Sequence, residues 1–215
     1  MGSNPALVWH HALVTRGQRE RLNGHRGCML WFTGLSSSGK SSIAHAVEER
    51  LHRRGCRTFV LDGDNIRQGL CADLDFSASD RAENLRRIGE VGKLFLEAGT
   101  ITLAAFISPS RIDGERVRAL FAPGEFMEIY CECPVAACER RDVKGMYRRA
   151  RAGEIQDFTG VSAPYEPPQR PDLVLPTAEL PIDECVERVL ALIERQAVLP
   201  DSPIPPAVQP AAPTA

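Results

Sequence analysis

Gly34-Leu35-Ser36-Ser37-Ser38-Gly39-Lys40-Ser41 carries the spacing G-x-x-x-x-G-K-S. The pattern unites glycines at turn positions, backbone N–H groups that converge on a tetrahedral oxyanion, and a Lys and a Ser to complete a polyphosphate and metal site. It reads as a phosphate cradle. A second group of chemistry-bearing residues is Asp62-Gly63-Asp64-Asn65-Ile66-Arg67. Two carboxylates there can organise a Mg²⁺ shell and accept a proton from an attacking hydroxyl, while Arg67 can pair with an anionic acceptor. Asp-Gly-Asp-Asn is also ordinary turn chemistry. Farther on, three-residue spacing predicts Arg81, Asn84 and Arg87 on one face of a helix, with Arg86 pointing elsewhere. Such a stripe serves a charged acceptor or forms a solvated basic face, and spacing alone leaves both open.

These residues need elements to position them. Residues 28–33 form a short apolar run between Gly27 and Gly34, as a buried parallel strand should. Ile43, Val47 and Leu51 recur at helical spacing, so the cradle runs into a helix N-terminus, whose dipole favours anions. Strand 58–61, helix 77–98, strand 101–107, helix 111–121, strand 126–131, helix 135–141, strand 173–175 and a last amphipathic helix carrying Ile182, Val186, Val189, Leu190 and Ile193 follow. Alternating β and α with apolar strands predicts an α/β fold, a doubly wound and mainly parallel sheet with flanking helices of the P-loop kinase type. Ligands of such sheets lie at the carboxyl ends of the strands.

The expected organisation is an N-terminal segment, 1–27, packing on a P-loop kinase domain, 28–195, followed by a disordered Pro/Ala-rich tail, 196–215. Within the domain, the Gly- and Pro-punctuated stretch at about 142–171 holds Lys144, Arg148, Arg149 and Arg151. It is too long for an ordinary connector and is expected to be a mobile lid.

With 215 residues, 43% hydrophobic and 25% charged, the chain suits one globular domain with a full core. A formal charge of −2 argues against general nucleic-acid binding. No apolar run reaches membrane-span length and the N-terminus lacks secretory features, so no membrane partner and a cytoplasmic location are expected. Seven Cys, an odd number, fit reduced thiols better than a disulfide framework. Cys131-x-Cys133 with Cys138 lacks the paired spacing or neighbouring His of a zinc site.

Taken in order, the signatures are similar to those of the adenylylsulfate kinases, over roughly residues 5–195. They include Trp9-His10, Gly24-His25-Arg26-Gly27, Trp31-Phe32-Thr33-Gly34-Leu35-Ser36, Leu61 to Arg67, and Phe76-Ser77-x-x-Asp80-Arg81-x-Glu83-Asn84. Phe106-Ile107-Ser108-Pro109, Arg141-Asp142-Val143-Lys144-Gly145 with Tyr147, Phe158-Thr159-Gly160 and Pro164-Tyr165-Glu166 complete the set. The resemblance implies ATP-dependent phosphorylation of the 3′-hydroxyl of adenosine 5′-phosphosulfate, in sulfate activation. It implies that Gly34, Leu35, Ser36, Ser37, Ser38, Gly39, Lys40, Ser41 and Ser42 hold ATP, and that Ser41 and Asp62 reach Mg²⁺, directly or through water. Lys40, Asp62 and Asp64 are the implied catalytic residues, with Ser108 a candidate only, since in-line transfer needs no phosphoserine. Arg67, Phe76, Arg81, Asn84, Ile107, Ser108, Lys144 and Phe158 are the implied contacts to the acceptor. A homodimer and an ATP sulfurylase partner are candidates on the same ground.

Four positions depart from the family pattern: Ser37 for Gly, Ser42 for Thr, Ser110 for Tyr, and Gln156 for a lid Lys. Ser37 is expected to shift the loop slightly, because a Cβ restricts its backbone. A GTPase would carry Asn-Lys-x-Asp, which the chain lacks. Kinases of sugar acids or nucleoside monophosphates share the cradle, and Arg67, Phe76, Arg81 and Asn84 together favour adenylylsulfate over them.

Overall fold

Six consecutive buried residues, Cys28–Thr33, form β1 at the centre of a five-stranded sheet in the computed structural model, which describes residues 8, 10 and 12–199. Trp9 and the tail from residue 200 onward lie outside the described residues. A strand covered on both faces needs apolar side chains at every position. Cys28, Leu30 and Phe32 point into one core layer, and Met29 and Trp31 into the other. Around β1 lie β2 (Thr58–Asp62), β3 (Ile101–Ala105), β4 (Phe126–Glu132) and β5 (Leu173–Pro176), in the order β2-β3-β1-β4-β5 with every pair parallel.

Helices cover both faces, as a parallel sheet requires. α2 (Lys40–Arg53) and α8 (Ile182–Arg195) bury Ile43, Val47 and Leu51 with Val186, Val189 and Ile193. Across the sheet, α4 (Ala78–Glu97) and α5 (Arg111–Arg118) bury Leu85, Ile88 and Val117 against Trp31 and Phe126. Each such side chain contributes about 1.5–3 kcal/mol through area removed from water. The chain leaves β1 toward β2 on one side and later returns to β4 on the other. That reversal opens a crevice at the carboxyl end of β1.

Four short helices complete the fold: α1 (Arg16–Asn23), α3 (Gly63–Ile66), α6 (Val135–Arg141) and α7 (Met146–Arg151). α1 is capped by a reciprocal Thr15–Gln18 box and by Gly24 in the left-handed conformation. Arg16 ties it to Glu125 at 2.5 Å, and Asn23 Nδ2 donates to the Gly99 carbonyl at 2.9 Å. Strand 101–107 and helix 111–121 end earlier than their apolar patterns suggest, at Ala105 and Arg118. The tail boundary expected at 196 also moves. Val198 is buried in the α2–α8 layer, and its carbonyl accepts from the Arg26 N–H, so the chain stays packed past α8.

His25 joins the N-terminal segment to β2. Its Nε2 accepts from the Arg57 N–H at 2.9 Å, so the proton sits on Nδ1, which donates to the Arg26 carbonyl at 3.0 Å. Burial holds its pKa below the ordinary value. The neutral ring is the one the fold accepts, so its contribution is full above about pH 6.5 and is lost as pH falls through the depressed folded value. Thermal stability should therefore drop on acidification from about pH 7 to 5. It should drop less in His25→Gln, which keeps an acceptor but does not titrate. An identical acid slope in both proteins would remove His25 from this role.

Among the described residues no helix is long and apolar enough to cross a membrane. All seven cysteines are unpaired and buried, and burial pushes the Cys28 and Cys131 thiols up to about 12.

Candidate active site

The turn from β1 into α2 places backbone donors at the crevice. Gly34 has φ +145° and Gly39 φ +94°, and a Cβ at Gly34 would lie 2.6 Å from the Cys131 carbonyl oxygen, so only glycine fits there. No side chain caps α2, which leaves its first N–H groups free to bind an anion. Ser37 keeps the loop in the left-handed region, at φ +59°. The Cβ there costs about 1 kcal/mol of strain.

Four successive loop carbonyls each accept from a side chain. Lys40 Nζ donates to Leu35 O at 2.6 Å, Tyr147 Oη to Ser36 O at 3.0 Å, Arg141 to Ser37 O at 3.4 Å, and Thr177 Oγ1 to Ser38 O at 2.7 Å. With its carbonyls held outward, the loop presents N–H groups inward. Lys40 is only 8% exposed, and burial lowers its pKa to about 8.

Asp62 ends β2 and caps α3. Its Oδ2 accepts from Ser41 Oγ at 2.5 Å and its Oδ1 from the Asp64 N–H at 3.0 Å. Asp64 is exposed at the cleft and is ion-paired with Lys144 of the lid. A hydroxyl and a carboxylate oxygen side by side next to a phosphate loop are the hard donors that Mg²⁺ takes together with phosphate oxygens.

One cleft of about 1030 Å³ joins this apparatus to a second pocket. Its wall contains Lys40, Ser41, Ser42, Asp62 and Asp64 at one side and Arg67, Phe76, Arg81, Asn84, Ile107, Ser108, Lys144, Gln156 and Phe158 at the other. Gly34, Leu35 and Ser38 stand behind the wall and shape the loop. The Arg67 guanidinium stacks 4.4 Å from the centroid of Phe76, which is 59% exposed. Asn84 is 3% exposed and its Nδ2 has no hydrogen-bond partner. Such a buried donor calls for an acceptor atom. The Ser108 hydroxyl accepts from Trp31 Nε1 at 3.0 Å, with Ser108 at φ +48°.

Arg87 is not part of this pocket. It forms a two-pronged pair with Asp73 at 2.7 and 2.8 Å and a further bond to Glu83, fastening the loop after α3 to α4. Conversely, Arg141, Tyr147, Tyr165 and Thr177 hold the site, although their spacing gives them no role in advance. Tyr165 donates to Thr33 Oγ1, which itself donates to the Ile107 carbonyl. The aromatic and hydroxyl content of the signatures around 147 and 165 is the only signal in the sequence for these two.

The lid is rooted on the domain. Tyr147, Ala150 and Phe158 pack with Leu35, Cys133 and Cys138 in a small apolar cluster. Tyr147 meets Phe158 edge to face at 5.0 Å. From α4, Arg81 donates to the Thr159 hydroxyl and the Asp157 carbonyl, each at 2.5 Å, and to the Phe76 carbonyl at 2.8 Å. Asp157 is itself left-handed, at φ +53°.

Residues 26–176 match the family described as adenylylsulphate kinase. An adenylyl-sulfate kinase of Geotalea daltonii is 56% identical over 200 residues, covering 93% of this chain and 98% of that one. An adenylyl-sulfate kinase of Acaryochloris marina is 55% identical over 193 residues, covering 90% and 94%. Among solved structures, the Mycobacterium tuberculosis APS kinase in complex with AMPPNP and APS superposes with a TM-score of 0.76 at 48% identity, covering 79% of this chain and 99% of that one.

Proposed function

The chain belongs to the adenylylsulphate kinase family, and from that premise we propose that its cleft transfers the γ-phosphoryl group of ATP to the 3′-hydroxyl of adenosine 5′-phosphosulfate. The products are ADP and 3′-phosphoadenylylsulfate, the activated form of sulfate. The observation that carries the reading is the single cleft in which the phosphate loop faces Arg67, Phe76, Arg81 and Asn84.

Transfer of a phosphoryl group depends mainly on positioning and charge neutralisation. The loop N–H groups and Lys40 grip the ATP phosphates. Ser41 and Asp62 would hold Mg²⁺, which would neutralise charge on the β- and γ-phosphates. Asp62 and Asp64 face the incoming hydroxyl, orient it and accept its proton. Arg67 and Arg81 supply positive charge for the phosphosulfate, and Phe76 and Phe158 supply flat surfaces for the adenine. Asn84 gives its unpaired amide to an acceptor atom on the substrate. Ser108 shapes the pocket through its backbone while Trp31 engages its hydroxyl. A cytoplasmic setting fits seven unpaired cysteines, and we keep a homodimer and a sulfurylase as candidate partners.

Titration of adenylylsulfate, gluconate, shikimate and nucleoside monophosphates into protein holding an ATP analogue tests the acceptor. Adenylylsulfate should bind at least about a hundredfold more tightly than the others, since unmatched buried polar groups penalise a wrong ligand by several kcal/mol. Comparable affinity for another acceptor would redirect the assignment. The lid offers a further check. Gln156 lines the cleft without a charge, so Gln156→Lys should tighten ligand binding by about two- to tenfold at low salt. Weaker binding in that variant would mean the lid is not charge-assisted.

A further inference from the structure

Tyr147 stands between the two halves of the cleft without lining either. Its hydroxyl donates to Ser36 O in the phosphate loop, and its ring is 1% exposed and set edge-on against Phe158. Phe158 is flanked in the chain by Asp157 and Thr159, both held by Arg81, whose Nε reaches the carbonyl of Phe76 beneath Arg67. A continuous set of short contacts therefore runs from the donor loop, through Tyr147 and the lid, to the acceptor pocket. Its two ends carry residues in the left-handed region, Ser37 and Asp157, and each is adjacent to one of these bonds. Backbone in this region persists only while its surroundings hold it, so a ligand that changes the contacts at either end can bias it.

We propose that Tyr147 is a positioning residue that couples the two substrate sites: nucleotide bound in the loop fixes Ser36 and, through the Tyr147 hydroxyl and ring, sets Phe158 and Arg81 for adenylylsulfate. Thr177 provides the contrast. From just after β5 its hydroxyl donates to the neighbouring Ser38 carbonyl and to the Glu132 carbonyl, and its own carbonyl accepts from Arg141 at the foot of the lid, outside the path through Tyr147, Phe158 and Arg81.

Coupling is a ratio of affinities and must be reciprocal. The experiment measures the dissociation constant of adenylylsulfate with and without AMPPNP, and of AMPPNP with and without adenylylsulfate. In the native protein each ligand should tighten the other by at least about tenfold. Tyr147→Phe removes one oxygen and should cut that factor at least about fivefold, with each binary affinity moving by less than about threefold. Thr177→Val should weaken AMPPNP and leave the factor unchanged. Thr159→Val, which removes one of the two Arg81 bonds to the lid while leaving Tyr147 in place, should reproduce part of the loss and serves if Tyr147→Phe does not fold. Unchanged coupling in whichever of these two variants folds, or loss of AMPPNP affinity alone in Tyr147→Phe, would overturn the proposal. The proposal rests on adenylylsulfate being the acceptor. A native protein that binds none overturns both readings, whereas one that binds it with coupling unaffected by either substitution overturns only this one.

Discussion

Lys40→Ala should lower kcat by at least about a thousandfold, because a buried ammonium on the transferring phosphate neutralises charge that grows in the transition state, where it acts most strongly. The side chain is almost wholly enclosed and donates to Leu35 O and Ser38 Oγ at 2.6 and 3.4 Å. Its loss still leaves Leu35 O bonded to the Ser38 N–H at 3.2 Å, a small structural change, so the thermal midpoint should move only a few degrees. The pH dependence carries a matching sign. Burial lowers the Lys40 pKa to about 8, so the free protein loses the ammonium as pH rises past that value. Nucleotide affinity should weaken between about pH 7 and 9 in the native protein and stay flatter in Lys40→Ala. A variant that keeps more than about a tenth of native kcat would remove this loop from catalysis.

Arg81→Ala should raise the dissociation constant for adenylylsulfate by about 30- to 1000-fold and leave the binary affinity for nucleotide within about threefold. A guanidinium facing an anion contributes a few kcal/mol, and its removal leaves that anion without a partner. The residue also holds Asp157, Thr159 and Phe76, so kcat should fall as well, through a lid no longer fixed from the acceptor side. Measuring both ligands separately by calorimetry distinguishes these effects. Equal losses for nucleotide and adenylylsulfate would assign Arg81 to structure alone.

The sheet was legible in the sequence because β1 and β3, buried at every position, read as almost wholly apolar runs, and β4 departs from that only at partly exposed positions such as Glu128 and Tyr130. Cys28 to Thr33 shows this most clearly. The phosphate loop was legible for a different reason: its glycines are demanded by backbone geometry that no other residue fits. Arg87 shows where spacing misleads. Three residues turn a helix by 300°, so two such steps carry Arg87 a third of a turn away from Arg81, toward Asp73. α1 escapes pattern reading because Arg-Gly-Gln-Arg-Glu-Arg-Leu-Asn is polar all round, and its caps and the Arg16–Glu125 pair hold it instead. α3 escapes because Asp62 caps a single helical turn with the same chemistry that makes an ordinary turn. Tyr147 and Thr177 meet the loop across 111 and 139 residues of chain, a distance at which no local periodicity speaks.

The most direct test supplies the protein with Mg-ATP and adenylylsulfate, then follows ADP release together with the identity of the phosphorylated product. One ADP should form per adenylylsulfate consumed, the product should gain one phosphoryl group on the 3′-oxygen, and a 3′-deoxy analogue should give neither. Absence of ADP with adenylylsulfate, alongside steady release with gluconate or a nucleoside monophosphate, would contradict the account.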